Sequence, residues 1–188
     1  GIPIVYCNLV GGQDELVFDG RSALFGKDGL VIAQAKAFDE DLLILDLDLS
    51  KKQKAHLKTK PISGYEEIYS ALALGLKDYV RKNNFNKVVL GLSGGIDSAL
   101  VACIAVDALG RGNVLAISMP SRYSSIETQK DAEIIASNLG IKFHKISIDS
   151  IFDSYLKTLS LHFKGSDPNI AEENIQARIR GNILMAFS

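Results

Sequence analysis

The sequence predicts an α/β fold in which a parallel sheet with flanking helices follows a shorter, β-rich segment. From residue 65 onward, helical and strand patterns alternate and are joined by short connections, which is typical of parallel sheets. Before residue 50, only short strand patterns occur, and turn residues separate them. Between the two, residues 50–64 are rich in lysine and include Pro61 and Gly64, as linkers do. We therefore expect a first segment at 1–49, a linker at 50–64 and a second domain at 65–188.

The first segment contains short strand patterns. Residues 2–10 ("IPIVYCNLV") form a continuous apolar run, which predicts a strand buried on both faces. "ELVFDG" at 15–20 and "RSALFGKDGLVIAQAK" at 21–36 predict further short strands, with a turn at Gly26–Gly29. In "LLILDLDL" at 42–49, apolar residues alternate with aspartate, which predicts a half-buried strand.

The second domain opens with a helix pattern that continues to Asn83 and Asn84. Its apolar residues Ile68, Leu72, Leu76 and Tyr79 share one face at helical spacing. Strands then alternate with helices, and the patterns predict strands at 87–92, 113–120 and 142–148 and helices at 98–110, 124–140 and 150–163. Because parallel strands joined by helices end at one edge of the sheet, we expect a ligand beyond their C-terminal ends.

The composition argues against several classes of function. Lys and Arg number 21 against 22 Asp and Glu, so the net charge is -1 and no basic excess favours nucleic acid. No apolar run reaches the roughly 20 residues that a membrane span needs. Cys7 and Cys103 lie in apolar runs, which predicts buried free thiols in a reducing compartment, the cytoplasm. The chain lacks an initial Met and an evident stop signal, so we expect a fragment of a longer protein.

The segment most informative about function follows the first strand of the second domain. It reads "GLSGGIDS" and comprises Gly91, Leu92, Ser93, Gly94, Gly95, Ile96, Asp97 and Ser98. Glycines let backbone N–H groups approach a ligand closely, and the start of the following helix carries unpaired N–H groups with partial positive charge. Phosphates are therefore the expected ligands.

Asp97 is unexpected beside a phosphate because two negative charges repel each other. A divalent cation between them resolves the conflict, since Mg²⁺ binds one or two carboxylates together with phosphate oxygens. The alternative is a plain turn in which Asp97 or Ser98 only caps the helix. Two familiar loops are excluded, because the glycines fit neither the G-x-x-x-x-G-K-[ST] pattern nor the G-x-G-x-x-G pattern.

Several segments together resemble one family. "SGGIDS" resembles the pyrophosphate-binding loop of the N-type ATP pyrophosphatases, and "SMPSRYSS" and "EENIQARIRGNILMAFS" resemble the synthetase domain of glutamine-dependent NAD synthetases. "GIPIVYCNLVGGQDELVFDG" resembles the end of the nitrilase-like glutaminase domain of the same family. The resemblance implies that 1–49 is the C-terminal part of that domain. It also implies that 65–188 is the N-terminal part of an adenine-nucleotide α-hydrolase-like domain.

The resemblance also assigns roles to individual residues. It implies ATP binding by residues 91–98 and, at the next strand end, by Ser118 and Met119. It places Mg²⁺ at Asp97 and deamido-NAD at Asn174 and Arg178. From the residues alone, a plain amphipathic surface helix is the favoured interpretation of the segment that contains Asn174 and Arg178. The catalytic residues of the glutaminase lie upstream in the family, and Cys7 does not match that motif.

The resemblance implies an enzyme, a ligase that amidates deamido-NAD to NAD. ATP would adenylate the substrate with loss of pyrophosphate, and ammonia from glutamine would displace AMP. The implied partners are ATP, Mg²⁺, deamido-NAD and glutamine or ammonia, in a homo-oligomer. Two alternatives remain open besides a purely structural fragment. One is another amidotransferase of the ATP pyrophosphatase type, and the other is a non-catalytic adenine-nucleotide-binding module.

Overall fold

A computed structural model describes residues 1–48, 62, 64–160, 162 and 170–188. Most of the predicted linker at 50–64 lies outside the described residues. Contacts divide the chain into two compact units, Gly1–Asn84 and Phe85–Ser188. Among the described helices, none combines the length and the apolar composition that crossing a membrane requires.

In the first unit, the described residues form two small antiparallel sheets and one helix. Its strands are β1 (Ile4–Tyr6), β2 (Val10–Gln13), β3 (Leu16–Asp19), β4 (Ala23–Phe25) and β5 (Val31–Gln34), and its helix is α1 (Tyr65–Lys82). One sheet has the order β1-β4-β5, and β2 and β3 form a hairpin. The turn predicted at Gly26–Gly29 is confirmed, because the Gly26 N–H donates to the Leu30 carbonyl at 2.8 Å and joins β4 to β5.

Several predictions for the first unit are wrong. Instead of one buried strand over 2–10, the structure has β1 and β2, and the side chains of β1 are exposed. β1 lies at the edge of its sheet, where β4 is its ladder partner. Cys7 is consequently exposed rather than buried, while Cys103 is partly buried. Residues 42–48 belong to no assigned strand, although Leu43, Leu45 and Leu47 are more buried than their neighbours, as the alternation predicts.

Helix α1 forms where predicted, but a different face packs. It contacts the β2–β3 hairpin, where the Gly12 N–H donates to Asp78 Oδ2 at 2.8 Å. The two backbones come so close that a Cβ on Gly12 would lie 3.1 Å from the Cα of Gly75. Three of the four residues of the predicted apolar face, Ile68, Leu72 and Tyr79, are exposed. Gly75 and Asp78 thus lie against the hairpin, and Val80 is the buried residue of α1.

The second unit has the predicted alternation of strands and helices. Its elements are β6 (Val88–Gly91), α2 (Ile96–Leu109), β7 (Val114–Ser118), α3 (Ile126–Leu139), β8 (Lys142–Lys145), α4 (Asp149–Leu159) and α5 (Ile170–Phe187). The strands form a parallel sheet of order β6-β7-β8, which confirms the predicted fold class. Consequently the segments after β6, β7 and β8 meet at one edge of this sheet.

The core of the second unit lies between the sheet, α4 and α5. Its buried members are Ile117, Met119, Ile148, Phe152 and Ile179. Burying a side chain of this size contributes roughly 1.5–3 kcal/mol to folding. Helix α5 adds an apolar stripe at helical spacing, since Ile175 and Ile183 pack against the same cluster on either side of Ile179. This stripe fixes which side of α5 faces the sheet edge.

Candidate functional site

The loop between β6 and α2 approaches helix α3 very closely. At Gly94 the backbone has a φ of +89°, which side chains other than glycine rarely tolerate. A Cβ at Gly94 would lie 2.0 Å from the carbonyl oxygen of Thr128. Glycine is therefore required here for both conformation and space.

Two serine hydroxyls close this loop. The Ser93 N–H donates to Ser98 Oγ at 3.2 Å, and the Ser98 hydroxyl donates to the Gly95 carbonyl at 2.9 Å. Ser93 Oγ accepts from the Gly95 N–H at 3.2 Å and lies 3.1 Å from Ser98 Oγ. These hydroxyls therefore hold the loop in shape. The groups left for an anion are backbone N–H groups.

Those N–H groups belong to the first turn of α2. The helix begins at Ile96, with Gly95 as its N-cap and no side-chain capping bond. Since the first N–H groups of a helix have no partner within it, those of Ile96, Asp97 and Ser98 point beyond its end. Asp97 is exposed and does not cap the helix, so the interpretation of Asp97 as a cap is not supported.

A cavity of about 300 Å³ lies beside the loop, within the second unit. Its walls come from the ends of β6 and β7, the first turn of α3, and α5. The predicted residues Gly91, Leu92, Ser93, Ser118 and Met119 all line it. This volume lies in the range typical of small-ligand sites. The parallel sheet therefore brings the predicted loop and the predicted second strand end together around one space.

Arg180 is the principal cavity residue that sequence analysis did not single out. Its Nε–H donates to the carbonyl of Met119 at 3.0 Å, and its side chain lines the cavity. Burial lowers the pKa of the Arg180 guanidinium, which nonetheless stays charged at neutral pH. Arg180 therefore places a cation among the residues that line the cavity. Ser124, Thr128 and Gln129 of the neighbouring segment were also missed.

Asn174 and Arg178 occupy the other side of α5. Both are exposed, and Arg178 donates to Asn174 Oδ1 at 3.1 Å. Neither lines the cavity beside the loop. At about 100° per residue, Arg178 and Arg180 lie on opposite sides of Ile179, and Arg180 is the one on the side of the buried Gln176. Gln176 and Arg180 are four residues apart and so share a face of α5, but no feature of the sequence marks Gln176 as buried.

A second, larger cavity of about 630 Å³ adjoins the first. Ser124 and Arg180 line both cavities, and the walls of the second also include Tyr123, Phe152 and Gln176. The turn after β7 therefore separates the two spaces. This arrangement offers adjoining sites for two small molecules.

The fit of a metal ion depends on Asp97. Within the described residues, no group of three or more His, Cys, Asp or Glu side chains could hold a metal by itself. One exposed carboxylate in the first turn of α2 suits Mg²⁺, which takes few protein ligands and completes its shell with phosphate and water. The residues present thus fit a magnesium ion that arrives with a phosphate ligand.

Comparison with known proteins settles the family. The model for NAD synthase matches residues 68–188, and the model for carbon-nitrogen hydrolase matches residues 1–56. The chain belongs to the NAD synthase family. The resemblance inferred from the motifs is thereby confirmed. The two matches meet near residues 57–67, close to the predicted linker at 50–64. The exact bounds of the two domains and the linker stay predictions.

Individual relatives extend this family assignment. A glutamine-dependent NAD(+) synthetase of Aquifex aeolicus is 48% identical over 98% of this chain. The structure of a glutamine-dependent NAD+ synthetase from Acinetobacter baumannii, in complex with ADP, has a TM-score of 0.95, 43% identity and covers 99% of this chain. The match to the structure of an NH3-dependent NAD synthetase from Campylobacter jejuni spans 68% of this chain and 53% of the Campylobacter chain. It has 32% sequence identity and a TM-score of 0.60. This chain spans 38% of the Aquifex protein and 36% of the Acinetobacter chain.

Proposed function

We propose that this chain forms the ATP-binding part of a ligase that converts deamido-NAD to NAD with nitrogen from glutamine. The observation that carries the proposal is the cavity between the Ser93–Ser98 loop and the end of β7, in an NAD synthase family member. The ADP complex of the Acinetobacter relative supports a nucleotide ligand for such a site.

In the proposed reaction, a carboxylate oxygen of deamido-NAD attacks the α-phosphorus of ATP and pyrophosphate leaves. Ammonia then attacks the carbonyl carbon of the adenylated intermediate, and AMP leaves. The first N–H groups of α2, with the helix dipole behind them, stabilise charge on the departing pyrophosphate. The serine hydroxyls of the loop accept from the Ser93 and Gly95 N–H groups and so shape the backbone that leads into this helix turn.

Residues 91–98, Ser118 and Met119 would contact ATP, and Asp97 would supply one carboxylate to Mg²⁺. The ion would add positive charge beside the phosphates. We add Arg180 to this set, since its cation lies in the same cavity. Its planar guanidinium suits a phosphate or the face of a purine ring.

Asn174 and Arg178 would bind deamido-NAD, as the resemblance implies. Their position on the exposed side of α5 requires the dinucleotide to contact a different surface from the cavity that we assign to ATP. Arg178 already lies beside Asn174, so a carboxylate or phosphate could accept from both side chains. The cytoplasmic location and the homo-oligomeric state inferred from the sequence stay predictions.

The experiment that tests the proposal measures the products of ATP in the full-length protein, meaning the longest natural form that contains this chain. With ATP, Mg²⁺ and deamido-NAD, we expect AMP and pyrophosphate in equal amounts. NAD should form when glutamine or ammonia is added. Release of ADP and phosphate, or release of AMP and pyrophosphate without need of deamido-NAD, would refute the proposed reaction.

The same measurement separates the alternatives. A non-catalytic nucleotide module would bind ATP in calorimetry but release no pyrophosphate. Another amidotransferase of the ATP pyrophosphatase type would release pyrophosphate only with a different acceptor. Nitrogen transfer from labelled glutamine to NAD would exclude both alternatives at once.

A further inference from the structure

The turn that follows β7 is fastened to helix α4 by charged groups. The backbone N–H of Arg122 donates to Asp149 Oδ1 at 2.8 Å, and its side-chain Nε–H donates to the same oxygen at 3.5 Å. A terminal nitrogen of Arg122 donates to Asp153 Oδ1 one turn further along α4. Asp149 is itself held, because the Ser147 hydroxyl donates to its Oδ2 at 2.9 Å.

The same turn forms a wall of the nucleotide cavity. Pro120 and Ser124 line that cavity, and Arg122 lies between them in the sequence. The Ser124 N–H donates to the Ser121 carbonyl at 2.9 Å, and the Ser121 N–H donates to Ser124 Oγ at 3.1 Å. Because the turn is closed in this way, a shift of Arg122 moves the cavity wall with it.

The main-chain hydrogen bonds that continue the sheet beyond β7 end at Pro120, two residues before Arg122. The Ile146 N–H donates to the Ser118 carbonyl at 2.9 Å and the Ile148 N–H donates to the Pro120 carbonyl at 3.0 Å, which prolongs the edge between β7 and β8. Beyond Pro120, the described contacts to α4 run through Asp149 and Asp153. The turn is also held from α3, where Gln129 Nε2–H donates to the Ser124 carbonyl at 3.3 Å, so the two carboxylates supply its hydrogen bonds to α4.

We propose that Arg122, Asp149 and Asp153 form an anchor that positions the turn over residues 119–125 for ATP. The inference rests on the proposed function of the cavity. These are positioning residues, since none of the three lines the ATP cavity itself. Their side chains are about half exposed, and exposed ion pairs contribute little to global stability. The anchor should therefore affect ATP affinity more than unfolding.

The test compares anchor variants with a matched control in the full-length protein. Arg122→Ala and Asp149→Ala remove the anchor, and Arg122→Lys keeps the charge but loses the planar fork. Glu133→Ala serves as the control, because it removes a similarly exposed pair between Glu133 and Lys145 at 3.1 Å, away from the turn. The readouts are the KM for ATP, the KM for deamido-NAD, kcat, and the melting temperature.

We expect the KM for ATP to rise about fivefold in Arg122→Ala and Asp149→Ala, the range of a modest ion pair. Arg122→Lys should lie between these variants and wild type. kcat, the KM for deamido-NAD and the melting temperature should change no more than in Glu133→Ala.

An unchanged KM for ATP in both anchor variants would overturn the inference while leaving the proposed function intact. So would a rise confined to deamido-NAD, since the turn also lines the second cavity. A lower melting temperature with unchanged KM would show a purely structural pair. If wild type does not use ATP, the proposed function fails, and the anchor fails with it.

Discussion

The loop between β6 and α2 and the helix α5 both contain predicted binding residues. The two regions differ in whether those residues lie at the cavity. In the loop, Ser93–Ser98 bond to one another and sit beside the cavity. In α5, the two predicted residues are exposed, and an unpredicted neighbour, Arg180, enters the cavity instead. The cavity wall thus includes Gly91, Leu92 and Ser93 of the predicted loop but not residues 94–98, and on α5 a different side chain from the two predicted ones lines it.

The difference reflects how each geometry is determined. The hydrogen bonds within the loop join residues at most five positions apart, so much of its shape is determined locally, although Gly94 also packs against Thr128 of α3. The orientation of α5 depends on Ile175, Ile179 and Ile183 packing against the sheet and α4. A short motif therefore predicts a local cradle more reliably than it predicts which face of a distant helix turns inward.

The largest effect should come from a methyl group added at Gly94 in the loop. In Gly94→Ala the Cβ would meet the Thr128 carbonyl at 2.0 Å, and the left-handed backbone alone costs about 1–2 kcal/mol. We expect ATP affinity to fall more than about a hundredfold, because the loop must shift away from α3. Calorimetric titration of ATP with Mg²⁺ measures this change.

The matched control is the same substitution in α5. A Cβ on Gly181 would meet nothing within 4 Å, and alanine favours helices over glycine by roughly 0.5–1 kcal/mol. Gly181→Ala should therefore raise the melting temperature and leave ATP binding unchanged. Equal losses of binding in both variants would contradict the special role of the loop.

The second effect concerns the metal at Asp97. Asp97→Asn should weaken Mg²⁺-dependent ATP use in the full-length protein and leave the circular dichroism spectrum unchanged. Removing a group that only orients a metal ligand costs about 10- to 100-fold in metal affinity, so loss of a direct ligand should cost at least as much. Mg²⁺ titrations at fixed ATP give the result, and parental activity under limiting Mg²⁺ would refute the assignment.

The third effect separates the two arginines of α5. Arg180→Ala should raise the KM for ATP, whereas Arg178→Ala and Asn174→Ala should raise the KM for deamido-NAD and leave that for ATP nearly unchanged. Loss of a charge-assisted hydrogen bond costs roughly 1.5–3 kcal/mol, which is about ten- to a hundredfold. Steady-state kinetics with each substrate varied in turn provide the test.

Other outcomes of that experiment are equally informative. If Arg178→Ala raises the KM for ATP and Arg180→Ala does not, the assignment of faces on α5 is wrong. If every variant raises the KM for both substrates alike, the helix has lost its packing. If Asn174→Ala and Arg178→Ala affect neither substrate, their side of α5 is a plain surface.

The smallest effect is a pH dependence of the turn that lies between the two regions. The Arg122 backbone N–H, then the Ser147 hydroxyl, lower the pKa of Asp149 below its ordinary value of about 3.9. Its ionised form therefore stabilises the fold above that pH, and this contribution is lost as the pH falls through the lowered pKa. The melting temperature of wild type should exceed that of Asp149→Asn by a small, constant margin from pH 7 to about 5. This difference in melting temperature should vanish in stronger acid. A difference that does not change with pH would contradict a stabilising role for the ionised Asp149.

Much of the second unit could be predicted from sequence because its signals are local. The alternation of strands and helices and the hydrogen bonds of the loop each involve near neighbours. The exposure of Ile68, Leu72 and Tyr79 on α1 could not be predicted in this way. Which face of α1 packs depends on the close fit between Gly75 and the hairpin, and the spacing of apolar residues along the helix does not predict that fit.

The contact between α1 and the β2–β3 hairpin also bears on how family members could exchange their halves. Recombination at residue 65, where the synthetase half was predicted to begin, would bring in an α1 from another parent. That helix would need a small residue opposite Gly12, as Gly75 is here, and a side chain that accepts from the Gly12 N–H, as Asp78 does. A crossover after Asn84 would keep the helix and the hairpin from the same parent. Functional chimaeras should therefore be recovered more often from the later junction.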